Sequence, residues 1–85
     1  MKRYGVQIAA SADKELAGMP RILRRRIIER FDEISRDPRG TDSSKLDEAT
    51  YRVRVGDYRI VYRVNDAEHT VVVTRIRHRR EVYRR

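Results

Sequence analysis

Cysteine is missing from this 85-residue chain. Its absence excludes a disulfide framework, a thiolate metal site and a thiol nucleophile, and it suits a reducing compartment, so a cytoplasmic location is expected. No stretch approaches the roughly 18 consecutive apolar residues of a membrane-spanning helix. The opening Met1-Lys2-Arg3-Tyr4-Gly5-Val6 has no apolar core of an export signal, so neither membrane insertion nor export is expected. Internal repeats and low-complexity linkers are absent too. The length suits one domain over 1–85, and a domain this small buries only about 60% of its unfolded surface, so its core must be thin.

What the chain has in excess is positive charge. Lys and Arg number 21 against 13 Asp and Glu, a formal net charge of +8, and only Lys2, Lys14 and Lys45 are lysines. Such an excess of planar guanidinium forks favours a polyanionic partner, because phosphate contacts release counterions. A solvated surface, or an acidic protein partner, accounts for the same composition.

Periodicity divides the chain into β-α-α-β-β-β. Tyr4-Gly5-Val6-Gln7-Ile8 alternates like a short strand. Ser11 is placed to cap a helix with Asp13 and Glu15 in its first turn, where carboxylates suit the helix dipole, and with Ala12, Leu16 and Met19 inward. Pro20 suits the first turn of a second helix. Leu23, Ile27, Phe31 and Ile34 recur there at the spacing of one buried stripe, with Arg24, Arg25, Arg26 and Arg30 on the other sides. Asp37-Pro38-Arg39-Gly40 ends it, and the polar stretch to Ser44 reads as a loop. From Ala49 the period becomes two. Tyr51–Val55 and Tyr58–Val64 flank a Gly56-Asp57 turn, and after the Asn65–Glu68 turn His69–Arg77 forms the last strand. The expected fold is α+β: two N-terminal helices on one face of a small twisted antiparallel sheet, with the other face open.

Alternation then sorts the side chains. If Tyr51, Val53, Val55, Tyr58, Ile60, Tyr62 and Val64 face the helices, Arg52, Arg54, Arg59 and Arg63 face away. If Val72, Thr74 and Ile76 pack inward, Arg75, Arg77 and Arg79 join them. Like charges opposite one another destabilise a sheet, so this stack makes poor structural sense without an anion to receive it. Splayed, solvated arginines, partly paired with Asp57, Glu68 or Glu81, are the structural alternative. Tyr83 offers a ring on which a base of single-stranded RNA can stack, or one that packs on the sheet edge.

Lys45-Leu46, the run Tyr51-Arg52-Val53-Arg54-Val55-Gly56-Asp57-Tyr58-Arg59-Ile60-Val61-Tyr62, and the closing His78-Arg79-Arg80-Glu81-Val82-Tyr83-Arg84 resemble the RelE branch of the RelE/ParE toxin superfamily over almost the whole chain. The resemblance implies a toxin of a toxin–antitoxin pair. Such a toxin enters the ribosomal A site and cuts mRNA as an endoribonuclease, with no metal and no cofactor, and a RelB-like antitoxin holds it inactive in a hetero-oligomer. By motif position it implies Arg52, Arg54, Arg59, Arg79 and Tyr83 as catalytic; Arg63, Arg75 and Arg77, set on the open face by alternation, and His78 are expected as further RNA-binding residues.

Arg52 and Arg54 depart from that family's best-known pattern, which has lysines there. Attack by the 2′-hydroxyl needs a base, a stabiliser for charge on phosphorus and an acid for the leaving 5′ oxygen. A guanidinium stays protonated, so Arg59 and Arg79 suit clamping and charge stabilisation, and the base is left open. His78 has the right intrinsic pKa, although regular alternation turns it away from Arg77 and Arg79. His69 lies in a turn. Two other readings share these residues: a ParE-like DNA gyrase inhibitor, and a silent module that holds RNA or an acidic partner. An antitoxin segment fits either the helix-covered side or the arginine face.

Overall fold

A computed structural model describes residues 3–78. β1 (Gly5–Ile8) leads into α1 (Ala10–Ala17) and α2 (Arg21–Arg36), followed by β2 (Ser44–Lys45), β3 (Thr50–Val55), β4 (Tyr58–Asn65) and β5 (Thr70–His78). The inward stripes are those of the sequence. Ala12, Leu16 and Met19 are buried, as are Ile27, Phe31 and Ile34, with Leu23 packed against them. Helix starts differ from expectation. Ala9, not Ser11, precedes the first helical residue of α1 and supplies no side-chain cap, and Pro20 stands just before α2 rather than within its first turn. Asp37 is driven to an extended conformation (φ −151°) by the proline after it, which stops α2.

The sheet runs β1-β5-β4-β3-β2. β3, β4 and β5 form the expected antiparallel meander, with Gly56 turning the first hairpin at φ +58°, a left-handed conformation that glycine adopts without steric cost. Two pairings add to it. β1 lies along β5 in parallel, Gly5 opposite Thr70 through Ile8 opposite Val73, so the sheet is mixed. β1 reaches β5 through intervening helices and strands, so no hairpin dictates its direction. Ser44, expected in a loop, and Lys45 pair with Arg52 and Tyr51 and edge the sheet.

One register shift decides which residues fill the core. Val61 of β4 faces Arg75 of β5, while its neighbour Tyr62 faces Val73, so Thr74 is an extra residue, a β-bulge. The Thr74 hydroxyl donates to the Val61 carbonyl at 3.2 Å. Regular alternation predicts Val72, Thr74 and Ile76 inward; the bulge makes the inward set Val71, Val73 and Ile76, at 0%, 0% and 2% exposure. Val72 instead stands opposite Arg63 on the open face.

A polar network staples one end of the sheet. Tyr51 and Tyr62 stack at 6.1 Å between ring centroids, and the buried Tyr62 hydroxyl donates to the Pro38 carbonyl at 2.6 Å. Burial pushes the Tyr62 phenol pKa up, which keeps it a donor. Arg39 donates through Nε to the Tyr51 hydroxyl (2.9 Å) and through its two terminal nitrogens to Asp66 (2.9 and 3.2 Å). The Tyr4 hydroxyl donates to Asp66 at 2.6 Å, and the Tyr4 ring stacks on His69, whose φ is +55°. Hydrogen bonds from Arg39, then from Tyr4, hold the Asp66 carboxyl below its ordinary range.

Two consequences are testable. Tyr62→Phe leaves the Pro38 carbonyl without its donor, and the expected cost is about 1–2 kcal/mol, read as a lower urea midpoint at unchanged m value. Because the folded pKa of Asp66 is depressed, its stabilisation is complete above the unfolded value near 3.8 and is lost as pH falls through the lower folded value. The Tm gap between wild type and Asp66→Asn is therefore expected to hold from pH 7 to 5 and to close in acid below about pH 4. A gap that persists unchanged at pH 2.5 would mean that the charge on Asp66 contributes nothing to it.

Candidate functional site

The open face is built by the central three strands. Tyr51, Val53 and Val55 are buried on the helix side, which leaves Arg52 and Arg54 on the other. Arg54 lies directly opposite Arg59, and Arg59 directly opposite Arg77, so β3, β4 and β5 carry three arginines in one lateral row. Opposed side chains in such a ladder start only about 5 Å apart at Cβ. The adjacent row reads Arg52, Val61, Arg75. Arg63 belongs to a third row with Thr50 and Val72, and it donates to the Thr50 hydroxyl at 3.3 Å. Four residues along β4 separate Arg63 from Arg59, roughly 13 Å, so Arg63 stands at the margin.

Arg59, in the middle of the row, is 5% exposed. A guanidinium carries five N–H donors and no acceptor, so a buried one is an anion receptor or a paired group, and its planar fork matches two oxygens of a carboxylate or phosphate. Beside it opens a cavity of about 180 Å³ lined by Arg52, Arg54, Arg59, Val53, Asp42 and Ser44. Ser44 stands there because β2 sets it opposite Arg52. The α2–β2 connection thus closes one end of the arginine face.

At the other end, α1 supplies a carboxylate. Pairing between β1 and β5 stops at Ile8 and Val73, and the Ala9 amide donates to the Val73 carbonyl at 2.9 Å. Past this point α1 side chains take over the edge of β5. The Ser11 hydroxyl donates to the Thr74 carbonyl (2.7 Å), and Glu15 accepts the Ile76 amide (2.7 Å) while pairing with Arg75 at 2.7 Å and approaching Arg77 at 3.8 Å.

Of the residues singled out in the sequence, Arg52, Arg54, Arg59, Arg63, Arg75 and Arg77 share this face. His78 does not. Beyond the bulge it stands opposite Tyr58 on the helix-covered side, its ring edge-on to that of Tyr58 at 5.1 Å and 89°, so the sheet separates it from Arg77, as alternation predicts, and from the open-face arginines with which it was grouped as RNA-binding. His69 is committed to Tyr4 at the stapled end. Arg79 and Tyr83 lie outside the described residues. Sequence reasoning passed over Asp42, Ser44 and the second role of Glu15, all of which depend on contacts between distant segments. Among the described residues no group of three or more His, Asp or Glu side chains is gathered as metal ligands would be.

Comparisons with known proteins bear on the family and the fold. The family model described as ParE toxin of type II toxin–antitoxin system, parDE, matches residues 6–83. Toxin RelG of Mycobacterium tuberculosis (strain ATCC 25618 / H37Rv) is 35% identical over 85 residues, covering 96% of this chain and 98% of that protein. Among solved structures, the toxin–antitoxin complex RelBE2 from Mycobacterium tuberculosis matches with a TM-score of 0.82 at 31% identity, over 93% of this chain and 94% of that one. The archaeal RelE–RelB complex from Pyrococcus horikoshii OT3 matches with a TM-score of 0.81 at 30% identity, over 91% and 96%.

A row of opposed guanidiniums predicts that a small polyanion stabilises the fold. At ten times its Kd, inorganic pyrophosphate is expected to add about 1.4 kcal/mol, several degrees of Tm in a domain this size, relative to chloride at equal ionic strength. The shift should shrink in Arg54→Ala and Arg77→Ala. Equal shifts in all three proteins would place the bound anion elsewhere.

Proposed function

This chain belongs to the RelE/ParE superfamily of type II toxins, and from that premise we propose that it is a ribosome-dependent endoribonuclease that cuts mRNA in the ribosomal A site and so stops translation. It acts in the cytoplasm without a metal or cofactor, and a cognate RelB-like antitoxin restrains it in a hetero-oligomer.

The observation that carries this reading is the in-register row Arg54–Arg59–Arg77 beside the cavity at Arg52. When a 2′-hydroxyl attacks the adjacent phosphorus, negative charge builds on the non-bridging oxygens, and preorganised donors aimed at that charge are the largest single source of acceleration in such reactions. Three arginines on adjacent strands of one rigid sheet meet this requirement, and the arginines along β3 and β5 extend it into a track for the flanking backbone. None of these guanidiniums takes up a proton, so their part in the reaction is to hold and to stabilise.

The antitoxin reading draws on the matching structures, which are RelE–RelB complexes. On this chain, α2 turns Ile28 (49% exposed) outward beside Arg21, Arg24 and Arg25, with Ile22 (78%) exposed further round the helix. Apolar and basic groups in one stripe suit an acidic, amphipathic partner segment.

A second reading has specific support, because the matching family model is described as a ParE toxin. It makes the chain an inhibitor of DNA gyrase. Primer extension on mRNA in a reconstituted translation reaction, with and without ribosomes, separates the two. Wild type is expected to give ribosome-dependent cuts, and Arg59→Ala, checked for folding by circular dichroism, to lose about 100-fold or more of the rate. Arg79→Ala tests the residue implied by the family motif. If the folded wild type makes no cuts, the nuclease reading fails; inhibition of supercoiling then assigns the gyrase activity, and RNA binding without product assigns a silent module.

A further inference from the structure

Glu15 differs from four other ion-paired carboxylates among the described residues. Asp32, Glu33, Asp42 and Asp66 are 45–63% exposed at their side chains, whereas Glu15 is 22% exposed. One of its oxygens, Oε1, is committed to the backbone, accepting the Ile76 amide at 2.7 Å. That bond anchors the carboxylate to the edge of β5, so it cannot follow an arginine that swings away. The other oxygen, Oε2, lies 2.7 Å from Arg75 Nη2 and 3.8 Å from Arg77 Nε. A carboxylate facing two guanidiniums from a fixed backbone position presents much the same charge and acceptor geometry as a phosphate would.

Resting on the RNA reading of the face given above, we propose that Glu15 is an internal stand-in for an RNA phosphate. In the RNA-free protein it holds Arg75 and Arg77 along the β5 side of the arginine face and offsets their repulsion with each other and with the arginines of β3 and β4. A phosphodiester of bound RNA then competes with it for both guanidiniums, so Glu15 sets how tightly the face holds RNA. No covalent bond is made or broken in this exchange; Arg75 gives up its hydrogen bond to Glu15 for one to phosphate while the Ile76 amide stays with Glu15.

The test uses a single-stranded 2′-O-methyl oligonucleotide, which has no 2′-hydroxyl to react, with binding followed by fluorescence anisotropy across a sodium chloride series. Glu15→Gln keeps an oxygen acceptor for the Ile76 amide and removes the competing charge. Its affinity at low salt is expected to exceed that of wild type by about five-fold, the upper range for a surface ion pair. Its dependence of log K on log salt should steepen by up to about 0.7, one phosphate contact on a single strand. Glu29→Gln on the exposed side of α2 makes the same change in net charge and is expected to stay within about two-fold of wild type. In an Arg75→Ala background the gain from Glu15→Gln should fall by more than half. The proposal is overturned if Glu15→Gln binds no better than wild type, if Glu29→Gln matches its gain, or if the gain survives Arg75→Ala. Arg59→Ala and Arg77→Ala separate the two levels: if both bind like wild type, the RNA reading of the face fails; if both bind more weakly and Glu15→Gln equals wild type, only the role of Glu15 falls.

Discussion

The extra residue at Thr74 is the constraint on which the two faces of the sheet depend. Without it, alternation along β5 allows either Val71 and Val73 or Ile76 to join the core, but not all three. With it, Val71 and Val73 sit beside Val64 and Tyr62, Ile76 sits opposite Ile60, and Arg75 and Arg77 still turn outward. A bulge bends its strand and interrupts the ladder, so the backbone groups around it need other partners. The Thr74 hydroxyl, Ser11 and Glu15 supply three of them. The short β1 and the position of α1 therefore belong to the same solution: β1 stops where the bulge begins, and α1 side chains finish the edge.

Arginines stacked in a row carry an electrostatic cost that the free protein must absorb. Like charges directly opposite in a ladder oppose folding by some tenths of a kcal/mol to about 1 kcal/mol per pair, and a small domain has little stability in reserve. The fold answers at its other end, where Arg39, Asp66, Tyr4, Tyr51 and Tyr62 join the α2–β2 connection to the residue before β1, to β3 and β4, and to the β4–β5 turn through hydrogen bonds and stacked rings. Favourable charge pairing and deep packing are gathered there, and unfavourable like-charge contact is gathered at the arginine row. Such separation is what a binding surface requires, since strain at a site persists only where the surrounding structure over-determines it.

Much of this was legible because it is local. The stripe Leu23, Ile27, Phe31, Ile34 and the alternation of Tyr51–Val55 with Tyr58–Val64 carry their periods within a few residues, and they led directly to both helices, the meander and six arginines of the open face. The bulge was not legible, for a specific reason: Thr70-Val71-Val72-Val73-Thr74 offers similar β-branched side chains at both parities, so its pattern cannot say which valines face inward. His78 is not affected by that ambiguity: alternation turns it away from Arg77, and it ends edge-on to Tyr58 away from the arginines. β2 escaped notice because Ser44 and Lys45 carry no apolar alternation, and their pairing follows from the adjacent strand.

Glu15 illustrates why the rest of the site stayed hidden. In the sequence it is one of two acids early in a helix, and the helix dipole explains it well enough. Its partners, Arg75, Ile76 and Arg77, lie some 60 positions away. Only the parallel placement of β1 on β5, which no hairpin rule dictates, brings α1 to that edge. The same holds for Asp42 and Ser44, polar loop residues until β2 sets Ser44 opposite Arg52 and closes the cavity beside Arg59. The arginines declare a binding face through period alone, whereas the groups that bound and tune that face come from segments whose positions depend on the edges of the sheet. Edges are set by backbone groups in search of partners, and those partners leave little mark on the pattern of side chains.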